Sequence, residues 1–143
     1  MVKTVDENAF RVAKALSKCY AMAKYNYDIH KSYYLSKLLS EQLGRQIKVD
    51  ADTEKYLIKI FEDGVKEIAN YPFENKLFKE RAEKYITQKF LTPNHKSVEE
   101  IASEDNVSQG TVYRIIEKGL SVIGDYMKSL AEKEEKLKGT GLW

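Results

Sequence analysis

The sequence predicts an all-α protein, with a helical N-terminal domain, a C-terminal unit of three helices and a long terminal helix. Apolar residues recur at spacings of three and four along most of the chain, which is the period of an amphipathic helix. Glycine and proline are scarce, at 7 and 2 of the 143 residues. The apolar fraction of 43% is enough to build a core, and the charged fraction of 32% predicts a well-solvated surface.

Two helices are predicted in the first part of the chain, at residues 7–27 and 30–43. The second ends at Gly44, where glycine commonly terminates a helix. The first presents one apolar face with small residues that permit close packing, formed by Ala9, Ala13, Leu16, Tyr20, Ala23 and Tyr27. The second presents a similar face, formed by Tyr34, Leu35, Leu38, Leu39, Gln42 and Leu43.

A third helix is predicted at about residues 53–70, after a short extended link at residues 45–49. Asp50 or Asp52 can cap its start, because an aspartate side chain accepts hydrogen bonds from free backbone amides. Pro72 ends the helix, since the residue before a proline is driven away from helical geometry.

The C-terminal part begins with a helix at about residues 74–91 and a loop at residues 92–96. Two short helices follow, at about residues 98–105 and 109–118. A last helix is predicted at about residues 120–137, followed by a loose tail that contains two glycines. No internal repeat is present.

The two short helices carry a specific local pattern. Ser97 and Glu100 have the spacing of a capping box, a strong helix start. Ala102 is small, as a close helix crossing requires, and Asn106 tolerates the left-handed backbone that a tight turn needs. Ser108 can cap the next helix. The positions predicted to face the core are apolar: Val98, Ile101, Val107, Val112 and Ile115.

The stretch EIASEDNVSQGTVYRI, residues 100–115, resembles the helix-turn-helix of bacterial and phage transcription regulators. The common form is roughly E-I-A-x-x-L-G-V-S-x-x-T-V-Y-R-I, and the match is similar to the resolvase, sigma-factor region 4 and sporulation-regulator types. With AEKYITQKF as a first helix, the resemblance covers about residues 76–118. Asp105 stands where leucine is common and is expected to face solvent, and Asn106 replaces glycine. The alternative is an ordinary helical hairpin.

The resemblance implies double-stranded DNA as the partner, with the second short helix in the major groove. Gln109 would then pair with adenine and Arg114 with guanine or a phosphate. Gly110 would allow close approach of the backbone, at a cost of about 1 kcal/mol in helix stability. The DNA-binding residues implied are Ser108, Gln109, Gly110, Thr111, Tyr113, Arg114 and Lys118 on this helix, with Lys96 and Ser97 at the backbone.

Residues 97–119 are acidic, with five acids against two bases. Four of the acids lie on the first short helix, and only Glu117 lies on the predicted reading helix. Because phosphate neutralisation supplies most non-specific DNA affinity, the missing positive charge should come from elsewhere. A second copy of the domain is one source, and residues 1–48, with nine bases and four acids, are the other.

Two further surfaces have open interpretations. A heptad-like stripe predicts either a dimerisation helix or packing against the chain's own N-terminal helices. It consists of Ile116, Leu120, Ile123, Met127, Leu130 and Leu137. Residues 24–48 mix bases with tyrosines, which could contact nucleic acid, form core or interface, or bind an effector or partner.

The predicted organisation is an N-terminal domain at 1–72, for interaction, oligomerisation or auxiliary DNA contact, a DNA-binding domain at 73–119, and a terminal helix and tail at 120–143. The predicted function is sequence-specific DNA binding by a transcriptional regulator of bacterial, phage or plasmid origin. A homodimer through residues 116–137 or the N-terminal helices is expected, and RNA polymerase or another protein is a possible partner. The alternatives are a phage packaging or plasmid partition adaptor, or a protein-interaction module that has lost DNA binding.

The sequence gives no support for a disulfide-linked, metal-binding, enzymatic or membrane-spanning protein. Cys19 is the single cysteine, so no disulfide forms within the chain, which fits a reducing cytoplasm; a buried position is expected for it. His30 and His95 lie in different segments, and no metal-ligand spacing or glycine-rich phosphate loop is present. We therefore expect no enzyme activity, no metal and no cofactor. No apolar run long enough to span a membrane occurs, and the N-terminus lacks a signal-peptide core.

Overall fold

The all-α prediction is confirmed in a computed structural model that describes residues 7–25, 32–71 and 75–143. Within these residues there are six α-helices and no strand. The helices are α1 (Glu7–Tyr25), α2 (Ser32–Leu43), α3 (Ala51–Glu67), α4 (Lys76–Ile86), α5 (Val98–Asp105) and α6 (Gln109–Ala131). Short 3₁₀ turns follow α3 and α6, at Ile68–Asn70 and Glu135–Leu137, and a π-helical turn, Thr87–Leu91, extends α4.

Some predictions fall outside the described residues. They are the helix ends predicted at residues 26–27 and 30–31, the break at Pro72, and the position of His30. Among the described helices, no segment is both long enough and apolar enough to cross a membrane.

The sequence predicted two separate helices after the turn, and the structure has a single helix, α6, in their place. Residues 109–118 and the segment that begins at residue 120 form one continuous helix of 23 residues. Gly119 lies inside it and is buried, and a Cβ atom there would collide with the side chain of Ile86. This glycine therefore allows close packing of α4 against α6 instead of ending a helix. The domain boundary placed between residues 119 and 120 lies within α6.

Helix α6 is central to the fold, because it packs against α1, α3, α4 and α5. The heptad-like stripe, of which Leu137 lies beyond the end of α6, is in the chain's own core, so packing against the N-terminal helices is the alternative that the structure shows. Five of the six stripe residues are at most 4% exposed: Ile116, Leu120, Ile123, Met127 and Leu137. The stripe is therefore not available as a dimerisation surface in this fold, and Leu130 is only partly buried.

The C-terminal tail is docked, and the prediction of a loose tail was wrong. The guanidinium of Arg45 donates to the carbonyl oxygens of Gly141 and Leu142 at 2.8 and 2.7 Å. The backbone amide of Lys48 donates to the Thr140 carbonyl at 2.9 Å, and Leu142 is fully buried. The extended link at residues 45–49 thus holds the tail against the core.

Several local predictions are confirmed. Gly44 has a φ of 68° directly after α2, and its amide donates to the Ser40 carbonyl. Asp50 caps α3 by accepting from the Thr53 amide at 2.8 Å. Cys19 is 2% exposed, and its burial, with the nearby Glu41 carboxylate, raises the pKa of its thiol to about 11. A thiol with so high a pKa is a packing group and not a nucleophile at neutral pH.

Candidate nucleic-acid interface

The turn between α5 and α6 has the geometry that the sequence pattern requires. Ser97 caps α5 and forms a complete capping box with Glu100. Asn106 ends α5 with φ 56° and ψ 48°, and among the described residues other than glycine it alone has a positive φ. Ser108 then caps α6 by accepting from the Thr111 amide. The chain therefore folds as a helix-turn-helix at residues 98–131.

The contact between α5 and α6 is close and apolar. Ala102 is 5% exposed, and its carbonyl accepts from the Val107 amide at 3.0 Å. Val107 is partly buried against the core, and Val112 and Ile115 of α6 belong to that core. These contacts fix the angle at which α6 leaves the turn, so the orientation of its first two turns is set by the core.

The first turns of α6 present a continuous polar surface, which we call the reading face: Ser108, Gln109, Gly110, Thr111, Tyr113 and Arg114. All are exposed except Thr111, which is half-buried, and the Tyr113 ring is 52% exposed. The hydroxyls of Ser108 and Thr111 are 2.8 Å apart, and Arg114 donates to the Thr111 hydroxyl at 3.2 Å. These bonds order the Arg114 side chain along the helix.

The other three predicted DNA-binding residues lie outside the reading face. Lys118 is exposed one turn beyond Arg114 on α6. Ser97 and Lys96 lie at the start of α5, where the helix before a reading helix passes the DNA backbone. Lys96 already forms an ion pair with Glu104, with its Nζ 2.8 and 2.7 Å from the two carboxylate oxygens.

The prediction that Asp105 faces solvent was wrong, because its carboxylate contacts side chains of α4. Its carboxylate accepts from the Tyr85 hydroxyl at 2.6 Å and from Lys84 at 2.8 Å, and Arg81 lies 4.0 Å away. Tyr85 is fully buried in α4. A carboxylate therefore takes the position usual for leucine because the tyrosine ring fills the core there and its hydroxyl needs an acceptor.

The pKa values follow from this contact. Hydrogen bonds from Lys84 and Tyr85 hold the pKa of Asp105 below its ordinary 3.8. Burial, with the bond to Asp105, raises the pKa of Tyr85 to about 12. Since the folded pKa of Asp105 is depressed, its contribution to stability is present at neutral pH. That contribution is lost as the pH falls below 3.8 and through the folded value.

A double-mutant cycle tests the role of this contact. Asp105→Leu, which restores the common pattern, should destabilise the protein by about 1–3 kcal/mol, because it leaves the buried Tyr85 hydroxyl without an acceptor. Adding Tyr85→Phe should recover most of that loss, as both polar partners are then gone. Lys84→Ala is the control, with an expected effect below about 1 kcal/mol for an exposed pair. The measurement is urea unfolding; a stabilising Asp105→Leu single variant would contradict this role.

Three of the four acids on α5 have a partner. Glu104 pairs with Lys96, Asp105 with Lys84, and Glu100 is held in the capping box. Sequence reasoning missed Lys84 and Tyr85 as partners of Asp105. In the sequence they are only a basic and an aromatic residue of α4, about 20 positions before Asp105, and no fixed spacing marks them as its partners.

The described residues hold no group of three or more histidine, cysteine, aspartate and glutamate side chains arranged to bind a metal ion. What the interface offers is hydrogen-bond donors and acceptors on an exposed helix start, the chemistry of base-edge and phosphate contacts.

Comparison with known proteins supports the same motif. The family model of the Mga helix-turn-helix domain matches residues 69–141, which span α4, α5, α6 and most of the tail. Searches of curated proteins and of solved structures gave no match. The helix-turn-helix prediction is thus confirmed, but the type found is Mga and not the resolvase, sigma-factor or sporulation-regulator type. The matched segment covers just over half of the chain, and the chain therefore belongs to the Mga helix-turn-helix domain family.

Proposed function

We propose that this protein is a transcriptional regulator that recognises a specific sequence in double-stranded DNA, with the reading face in the major groove. The observation that carries the proposal is the exposed start of α6, which has no acid between Ser108 and Arg114 and is fixed by the core beneath it. Membership in a helix-turn-helix family supports DNA as the partner. Gln109 is suited to adenine and Arg114 to guanine or a phosphate.

The proposal includes a second copy of the chain. One reading helix covers few base pairs, and helix-turn-helix dimers place two of them one turn of DNA apart. Because the stripe of α6 is buried in the protomer, the dimer surface has to be another one. Light scattering at micromolar concentration measures this directly, and a monomeric mass both free and on DNA would rule out the dimer.

The competing function is a protein-interaction module that has lost DNA binding, and the acidic balance of residues 93–143 favours it. A titration of labelled random-sequence duplex by fluorescence anisotropy separates the two. The proposal predicts non-specific binding with a Kd of about 10⁻⁴–10⁻⁶ M at physiological salt. Absence of binding even at low salt would favour the interaction module.

Gly110→Ala should change stability and DNA affinity in opposite directions. A Cβ at Gly110 meets only the Ser108 hydroxyl, at 3.9 Å, so alanine should stabilise the helix by about 1 kcal/mol. The added methyl group would stand between the backbone and the groove and should weaken binding to the selected sequence. Urea unfolding and anisotropy measure the two effects, and unchanged affinity would remove Gly110 from the interface.

A further inference from the structure

A cleft of about 400 Å³ lies beside the start of α5, between α1 and the π-helical turn that follows α4. Its lining includes three lysines and two serines from three separate segments: Lys18 and Ser17 of α1, Lys89 of the π-helical turn, and Lys96 and Ser97 before α5. These residues are up to 80 positions apart in the chain, so no local pattern in the sequence brings them together.

The arrangement is fixed by backbone contacts. The amide of Lys96 donates to the Gln88 carbonyl at 2.9 Å, which holds the segment before α5 against the π-helical turn. Helix α1 packs against the same turn. Lys18 and Lys89 therefore lie beside Ser97, the residue predicted to meet the DNA backbone.

The charges of the cleft are incompletely balanced. Lys96 pairs with Glu104, and Glu100 adds one negative charge to the lining, where its Oε1 accepts from the amide and hydroxyl of Ser97. Neither Lys18 nor Lys89 forms an ion pair with a carboxylate of the described residues, although the Lys89 ammonium lies 5.4 Å from the centre of the Phe90 ring. Two cations thus border the cleft without an acidic partner, which favours an anionic occupant.

We propose that this cleft binds backbone phosphates of the DNA flanking the sequence read by α6, with Lys18 and Lys89 as the contacting cations. The inference rests on the proposed DNA binding and deepens it. In a helix-turn-helix the helix before the reading helix crosses the DNA backbone, and the cleft lies at the start of that helix. The N-terminal part of the chain thereby supplies charge that the acidic motif lacks.

Two other bases of the N-terminal part have different partners. Arg45 holds the C-terminal tail, and Lys24 pairs with Glu62 at 3.2 Å. The proposal therefore assigns the phosphate contact to Lys18, and it includes neither Arg45 nor Lys24.

The test is the salt dependence of DNA binding by the full chain. We compare the wild type with Lys18→Ala/Lys89→Ala and with Lys59→Ala/Lys66→Ala, a control that removes the same charge from exposed positions of α3. The slope of log K against log salt should become shallower by about 2 in the cleft variant, since each phosphate contact contributes about 0.9. Between 50 and 200 mM salt, the cleft variant should lose about ten-fold less affinity than the wild type. The control should keep the wild-type slope.

The outcomes separate this inference from the proposed function. If the wild type binds DNA and the cleft variant keeps its slope, the cleft is not a phosphate site, while DNA reading by α6 stands. An equal reduction in the control variant would also overturn the inference, because the effect would then be one of net charge. If the wild type binds no duplex at any salt concentration, both the proposed function and the inference fail.

Discussion

Gly124→Ala should destabilise the protein by about 3 kcal/mol, a large part of the stability of a small domain. Gly124 lies where α6 crosses α1. A Cβ atom there would collide with the backbone carbonyl of Ala9 and lie 3.1 Å from the amide nitrogen of Phe10. Backbone atoms cannot turn away as a flexible side chain can, so the two helices would have to separate. Urea unfolding measures the change in free energy.

The matched control is Gly110→Ala on the same helix, where alanine has room and should stabilise. The two variants carry the same chemical change and should shift stability in opposite directions. A Gly124→Ala protein at least as stable as the wild type would show that α1 and α6 are not in close contact. The placement of Lys18 beside α5 would then lose its support as well.

Gln109→Ala and Arg114→Ala should each reduce the preference for the selected DNA sequence by about ten-fold or more. A good bidentate contact between a side chain and a base edge is worth about 1–3 kcal/mol of discrimination, and about 1.4 kcal/mol corresponds to a factor of ten. Both side chains are exposed, so the fold should survive. The double variant should bind the selected and the scrambled duplex equally.

The measurement is the ratio of the two affinities, with circular dichroism to check folding. Lys128→Ala is the control, because it removes an exposed cation from the last turn of α6, far from the reading face. Sequence preference that persists in the double variant would place the reading surface elsewhere on the protein.

The motif could be predicted from the sequence because each of its features is local. The capping box of Ser97 and Glu100 and the left-handed Asn106 depend on residues at most three positions apart. Interactions between residues so close in the chain can be predicted from residue type and spacing. The burial of Ala102 and Val112 follows from helical spacing alone. All of these predictions are confirmed.

What the sequence did not reveal depends on distant contacts. Glycine is common at the end of a helix, and only the position of Ile86 shows that Gly119 instead allows close helix packing. Asp105 replaces the common leucine, and its carboxylate accepts a hydrogen bond from the hydroxyl of Tyr85, 20 residues earlier. The tail is held by Arg45, about 96 residues away. None of these partners has a fixed spacing, so periodicity could not identify them.

The acidity of residues 97–119 has a physical explanation in these contacts. Three of the four acids around α5 stabilise the motif itself, through Lys96, Lys84 and the capping box. The reading face stays free of acid, and the proposed phosphate cleft draws its cations from α1 and the π-helical turn.

Selection of bound duplexes from a random-sequence pool tests most directly whether the start of α6 reads DNA. The wild type should enrich one common sequence, and a dimer should enrich two inverted half-sites about one turn of DNA apart. The variant with Gln109→Ala and Arg114→Ala should no longer enrich it. No enrichment by the wild type, or the same sequence enriched by the double variant, would contradict DNA reading by this helix.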